Sequence, residues 1–173
     1  MPLEFPYQLV IFLDKHPAIG EPVYYGEHGW YPQIAIKRRF KIMQGSEEEF
    51  LKDIETLFST VEKFNVGTKA LVKTDRMPVR VIEIENSDEL VNFHVKIMKF
   101  LDGKIESRYP ERDGDNYYPH ITAEHEGELR IDVQRYSNAS FTIKEAYLLK
   151  DITDANSVAY ANFKFESPHL VIG

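Results

Sequence analysis

The segment Tyr117-Tyr118-Pro119-His120-Ile121-Thr122-Ala123-Glu124 has a counterpart in Trp30-Tyr31-Pro32-Gln33-Ile34-Ala35-Ile36-Lys37. Pro32 and Pro119 stand 87 residues apart, and the same offset superimposes an identical Tyr and Ile and the aromatic that opens each segment. Self-similarity at a fixed spacing takes precedence over other signals, because an internal duplication dictates the architecture built around it. Two amphipathic stretches extend the correspondence outward. Residues 46–63 carry Phe50, Leu51, Ile54, Leu57, Phe58 and Val61, a stripe on one face of a helix. Residues 86–102 repeat it with Leu90, Val91, His94, Ile97, Met98 and Leu101. Each opens on a capping-box pattern, Ser46 with Glu49 and Asn86 with Glu89, in which cap and glutamate satisfy each other's free backbone donors. Any two amphipathic helices share such a stripe, so the aromatic-Pro-x-Ile match carries more weight.

The remaining periodic segments read as strands: Tyr7 to Asp14, Gln33 to Ile42, Thr68 to Lys73, Val79 to Glu85, Pro119 to Glu124, Leu129 to Val133, Phe141 to Lys150 and Val158 to Phe165. In the second of these, Ile34, Ile36, Phe40 and Ile42 share one face, and Gln33, Ala35, Lys37, Arg39 and Lys41 the other. Two helices among so many strands leave hairpins as the main connection. The sheets are therefore expected to be antiparallel with helices outside, an α+β fold. The expected organisation is a single two-lobed domain over residues 1–173, with the repeat strands near 30–42 and 117–124. Tyr109 to Asn116, with Pro110 and Gly114, is the longest evident loop, and it leads directly into the second copy.

At 173 residues the chain is long enough to bury a substantial core, and 43% hydrophobic residues place it among ordinary globular proteins. The absence of cysteine excludes a disulfide framework, a zinc-thiolate site, an iron-sulfur cluster and a thiol nucleophile. The net charge of -7, from 28 acidic and 21 basic residues, argues against a broad electrostatic grip on nucleic acid but leaves room for a local basic cleft. The apolar run Leu9 to Leu13 is far short of the ~18 residues of a membrane span and lacks a basic flank, so a cytoplasmic protein without membrane partners is expected.

The chemistry concentrates in the second copy. Residues two apart on a strand share a face, so His120 and Thr122 present an imidazole and a hydroxyl side by side while Ile121 and Ala123 anchor the strand. The imidazole can move a proton near neutral pH and the hydroxyl can donate to a phosphoryl oxygen. That pair suits acid-base work on a phosphate ester.

With the upstream Pro-x-Ile strand, Tyr118-Pro119-His120-Ile121-Thr122 resembles the two-histidine phosphoesterase superfamily, which includes the RNA 2',3'-cyclic phosphodiesterases also called 2'-5' RNA ligases. The resemblance implies a bilobal, pseudo-twofold fold in which two related strands each bring a His-x-Thr/Ser motif to a central cleft. One histidine is then general base and the other general acid on a cyclic or 2'-5' phosphodiester of RNA or nucleotides, without metal or cofactor, while the hydroxyls hold the phosphate. Carried onto this chain, the roles make His120 catalytic and Thr122 phosphate-binding. The first motif departs from the pattern: Gln33 stands at the histidine position and Ala35 at the hydroxyl position. A carboxamide binds phosphate but does not exchange a proton near pH 7, and one missing acid-base group typically costs ~10²- to 10⁴-fold in rate. Three classes of function follow: an impaired phosphoesterase acting on a small phosphodiester or RNA end, a non-catalytic nucleotide or RNA-end binding module, and a structural relative that keeps only the fold.

Among other residues, Lys37 and Arg39 continue the face of Gln33 and Ala35 and are candidates to line the phosphate site, or else form a solvated charge row. Trp30, Tyr31, Tyr117 and Tyr118 flank both motifs; alternation puts one of each pair in the core and leaves Tyr31 and Tyr118 as candidates for base stacking. His28 sits in a Gly-containing loop near Gln33, His125 has the opposite parity to His120, and His94 takes a core position on its helix. His16 and His169 stand beside prolines and read as surface residues. No His-x-x-x-His spacing marks a metal site.

Overall fold

A computed structural model describes residues 4–24, 29–85, 87–153 and 156–165. The chain runs β1 (Tyr7–Phe12), β2 (Gln33–Ile42), α1 (Glu47–Phe58), β3 (Phe64–Val72), β4 (Val81–Ile84), α2 (Asp88–Leu101), β5 (Ile105–Ser107), β6 (His120–Thr122), β7 (Glu124–His125), β8 (Glu128–Leu129), α3 (Val133–Tyr136), β9 (Ser140–Ile143), β10 (Glu145–Thr153) and β11 (Asn156–Lys164). Two single-turn 3-10 helices, Pro110–Arg112 and Gly114–Asn116, lie between β5 and β6. One sheet has the order β11-β10-β1-β2-β5 and the other β6-β4-β3-β9, with a small β7-β8 ribbon beside them. The named strands pair antiparallel throughout, so the fold is α+β with antiparallel sheets.

The two sheets and both long helices share one apolar core. Phe50, Ile54 and Phe58 of α1 and Leu90, Phe93, Ile97 and Leu101 of α2 pack with Ile34, Ile36 and Phe40 of β2 and with Ile82 and Ile121 of β4 and β6. Burying each such side chain stabilises the fold by roughly 1.5–3 kcal/mol. At one end Phe58, Phe64, Phe93, Phe163 and Phe165 form an aromatic cluster with ring centroids 5.3–6.2 Å apart. On α2 the buried stripe passes through Phe93 and His94, while Val91 is exposed.

Local chemistry explains where the elements begin and where sequence periodicity misleads. Ser46 caps α1 as its pattern predicts, accepting from the Glu49 amide at 3.1 Å. The cap of α2 is Ser87, which accepts from the Leu90 amide at 3.2 Å; Asn86 lies outside the described residues. The expected strand Leu129 to Val133 is cut to Glu128–Leu129, because Asp132 accepts from the Arg135 amide and starts α3. The expected strand Phe141 to Lys150 is two strands meeting at Lys144, β9 on β3 and β10 between β1 and β11, so the chain crosses between sheets there. β5 has too few residues for periodicity, yet it covers the far edge of β2, with Ser107 opposite Phe40.

The register of β2 decides what reaches the cleft. Phe12, Ile11 and Val10 of β1 face Gln33, Ile34 and Ala35, but Leu9 faces Lys37 and Tyr7 faces Phe40. Each slip adds a residue to β2 and turns the following side chains to the other face. Lys37 is thereby buried, and Arg38 takes the cleft-facing place that strict alternation assigns to its neighbours. Among the described residues no helix is long and apolar enough to cross a membrane.

Candidate functional site

β2 of the first sheet lies against β6 of the second, and polar links across the junction hold the two motif strands together. The Tyr117 hydroxyl, just before β6, donates to the Ala35 carbonyl at 2.8 Å, and from α2 His94 Nδ1 donates to the Ile36 carbonyl at 2.9 Å. Directly over this junction sits His120, nearly buried, flanked by fully buried Ile121 and Ala123. Its Nδ1 is 2.7 Å from the carbonyl oxygen of Tyr118. A carbonyl only accepts, so Nδ1 carries the hydrogen and the Nε2 lone pair faces the cleft, where Arg38 Nη2 approaches to 3.2 Å. Burial pushes the imidazole down to about pKa 4, and the charges of Arg38, Arg112 and Arg76 act in the same direction against the favourable Tyr118 contact.

Two cavities share the walls formed by Ala35, Arg38 and His120. The larger, of about 250 Å³, is bounded by Arg76 and Met77 from the β3–β4 turn and by Glu111, Arg112, Asn116 and Tyr118 from the segment before β6. The smaller, of about 60 Å³, is bounded by Tyr24, Trp30, Gln33 and Thr122. Gln33, His120 and Thr122 therefore open into one space, with Ala35 between them.

Three guanidinium groups surround the imidazole. Arg38 is half-buried, and burial together with Arg112 disfavours its charge. The Arg76 guanidinium lies 4.3 Å over the Tyr118 ring, and that of Arg112 lies 4.8 Å from Tyr109. Among the described residues none of the three forms an ion pair, although Glu111 also borders the larger cavity. A chain of net charge -7 thus concentrates three unneutralised cations at one histidine, the arrangement that binds an anion.

The slips in β2 remove Lys37 and Arg39 from this site, contrary to strict alternation. The Lys37 side chain has no exposed surface, and its Nζ bonds Asp113 Oδ2 at 2.5 Å and Ser107 Oγ. Arg39 instead pairs with Asp151. Asp113 lies between the two 3-10 turns, and the next residue, Gly114, donates its amide hydrogen to His94 Nε2 at 3.1 Å. The His94 ring stacks on Tyr117 with centroids 3.8 Å apart. Lys37 and His94 accordingly clamp the segment that carries Arg112 to the cleft.

The aromatic candidates separate in the same way. Tyr118 borders the larger cavity, stacks on His120 at 5.1 Å, and donates to Glu83, whose backbone faces His120 across the β4–β6 ladder. Tyr31 borders the smaller cavity, but its ring is buried among Phe12 and Tyr147 and its hydroxyl donates to Glu21. His16 pairs with Glu145 at 2.8 Å, and His125 rests against Trp30. His28 and His169 lie outside the described residues. Among the described residues, no three carboxylate or imidazole side chains converge as a metal-binding group.

Sequence reasoning missed Arg38, Arg76, Arg112 and Tyr24. The first is hidden by the slips in β2, and the next two sit in turns without periodicity. Only the position of Arg112, within the loop leading into the second copy, offered a signal.

No protein-family model matches the chain, and no curated protein sequence does. Solved structures do. A crystal structure described as a phosphoesterase aligns with TM-score 0.57 at 12% identity, over 96% of this chain and 100% of its own. E. coli LigT in complex with 3'-AMP aligns with TM-score 0.56 at 14% identity, over 96% of this chain and 100% of its own. TT0787 of Thermus thermophilus aligns with TM-score 0.58 at 13% identity, over 95% and 100%. LigT has also been solved with ATP, with NADP+ and with phosphate. The chain thus has the fold of LigT, of TT0787 and of the structure described as a phosphoesterase, the architecture that the resemblance implied.

Proposed function

We propose that the cleft between β2 and β6 binds the phosphate of a nucleotide or RNA end and acts on 2',3'-cyclic or 2'-5' phosphodiester bonds by acid-base chemistry at His120. The observation that carries this reading is the convergence of Arg38, Arg76 and Arg112, without carboxylate partners among the described residues, on an imidazole whose Nε2 lone pair faces the cavity. The complexes of LigT with 3'-AMP, ATP, NADP+ and phosphate support a phosphate-bearing ligand for this fold.

In the free protein His120 is neutral, and Arg38 occupies its Nε2 lone pair. An incoming phosphate competes for the guanidinium and offsets the three positive charges that add to burial in lowering the imidazole. The histidine then regains the part of its basicity that those charges removed and takes a proton from attacking water. In this reading Thr122, which shares the strand face of His120 and lines the smaller cavity, donates to a phosphoryl oxygen. Gln33 stands where a second imidazole would complete the relay, so turnover is slow relative to a two-imidazole site.

The second reading, a binding module without turnover, is favoured specifically by Gln33 and Ala35. Calorimetric titration with 3'-AMP, alongside incubation with nucleoside 2',3'-cyclic phosphates, tests both. Binding that weakens at least tenfold in Arg38→Gln supports the cleft, and turnover selects the enzyme. Unchanged affinity in Arg38→Gln would sink both readings.

A further inference from the structure

The smaller cavity has two titratable walls besides His120 and Arg38, Tyr24 and Tyr31, and the Tyr31 hydroxyl already donates to Glu21. Tyr24 lies nine residues before Gln33, and its hydroxyl oxygen accepts a hydrogen bond from Gln33 Nε2. A phenol that accepts there keeps its own hydrogen for another acceptor, and none takes it among the described residues. The other end of the carboxamide, Gln33 Oε1, is buried with no hydrogen-bond partner among the described residues. Trp30 braces the Tyr24 ring edge-on at 5.0 Å. The phenol therefore faces the same space as His120 and Thr122 with a hydrogen that no described residue accepts, beside the residue that replaces the missing imidazole.

We propose that Tyr24 is the second proton carrier of this site, donating to the leaving sugar oxygen the proton that a histidine at position 33 would have supplied. The proposal rests on the reading of the cleft as a phosphodiester site. Water attacks phosphorus while His120 Nε2 takes its proton. The bond from phosphorus to the sugar oxygen breaks, and that oxygen takes the Tyr24 hydrogen. The phenolate left behind accepts from the Gln33 amide and lies within the field of Arg38. The His120 imidazolium then returns its proton to the phenolate through solvent, so that one water and one cyclic diester have become one monoester.

The proton inventory suits a phenol. Burial raises Tyr24 above its ordinary value while Arg38 and Arg39 oppose the shift, so the hydroxyl is protonated at neutral pH. An alkoxide leaving group is nearly as basic as hydroxide and takes a proton readily from a phenol. Gln33 has a positioning role here: it cannot carry the proton, but it fixes the phenol oxygen and stabilises its anion.

The test compares the intact protein with Tyr24→Phe, which preserves the ring packed on Trp30. The kcat for a 2',3'-cyclic nucleotide should fall ~10²- to 10⁴-fold, while the Kd for 3'-AMP stays within about threefold. Turnover of a 4-nitrophenyl nucleotide diester, whose leaving group needs no proton, should change less than about threefold. A Tyr24→Phe protein with unaltered cyclic-nucleotide turnover, or one losing both substrates equally, overturns the role of Tyr24. Wild-type protein that binds 3'-AMP without hydrolysing the cyclic nucleotide also overturns it and leaves the cleft reading standing. Failure to bind 3'-AMP at all overturns both.

Discussion

Replacing Asp113 by asparagine removes the anionic partner that the structure gives Lys37, whose side chain has no exposed surface. The asparagine still offers an oxygen, and Ser107 still accepts, so the ammonium keeps hydrogen bonds but loses the charge that compensates its desolvation. Breaking a buried pair from one side typically costs ~3–5 kcal/mol. Asp113 retains 17% side-chain exposure, which lets solvent screen the pair and places the expected loss near the lower figure, about 3 kcal/mol. For a chain of this length each kcal/mol shifts the midpoint by roughly 2–4 °C, so the melting temperature should drop by about 6–12 °C. Lys37→Met with Asp113→Leu removes both charges and should recover most of that stability, since a buried pair exchanged for apolar groups is often close to neutral. The same double variant frees the segment carrying Arg112, so it should bind 3'-AMP more weakly despite its restored stability. Urea denaturation of the single and double variants reads the coupling directly. Additive effects, or a loss below about 1 kcal/mol for Asp113→Asn, would show that the pair does not anchor the segment.

Two further outcomes follow from the same geometry. His120 has a folded pKa near 4 against an ordinary value of 6.5, so the unfolded chain binds the proton more readily and stability should fall as pH drops from about 6.5 to about 4. The loss attributable to His120 is about 3 kcal/mol, read as the difference between the wild-type and His120→Asn denaturation curves over that window; parallel curves would refute it. Thr122→Ala should weaken 3'-AMP binding by ~1–3 kcal/mol in a low-salt titration, and unchanged affinity would remove Thr122 from the phosphate contact.

How far the site was legible depends on whether strict alternation survives. In β6 it does: His120 and Thr122 share a face, and Ile121 and Ala123 fill the core, as two-residue periodicity requires. In β2 it holds from Gln33 to Ala35 and fails beyond, because nothing local in Ile36-Lys37-Arg38-Arg39 reports where β1 will slip against it. That single tertiary fact exchanges Lys37 and Arg39 for Arg38. Arg76 and Arg112 lie on turns, where position is set by the elements that the turn joins and by distant anchors such as Asp113 on Lys37. The division of Phe141 to Lys150 at Lys144 is equally non-local, since both halves are compatible with a strand and only their partners differ. The helical stripe marks His94 as a packing residue, and it is one, but its second function, holding Gly114 over the cleft, needs the fold.

Restoring the first motif joins these threads. Gln33→His with Ala35→Thr returns a titrating group and a hydroxyl to a strand position already facing His120 and Thr122. The backbone there is held independently, since the Ala35 carbonyl accepts from Tyr117 and the Ile36 carbonyl from His94, so the new side chains should enter an unchanged frame. A histidine at position 33 inherits Tyr24 as its hydrogen-bond neighbour. If Tyr24 already carries the leaving-group proton, the imidazole should add little beyond its better-matched pKa in the wild-type background. The full ~10²- to 10⁴-fold gain in cyclic-nucleotide turnover should then emerge only when Tyr24→Phe is also present. If Tyr24 is idle, the gain should be the same in both backgrounds. Ala35→Thr alone should change turnover little, because a hydroxyl donor without a proton carrier leaves the departing alkoxide unassisted. A folded double variant that binds 3'-AMP yet gains nothing in either background would mean that the distance between positions 33 and 120 no longer fits one phosphate, and the binding-module reading would then be preferred.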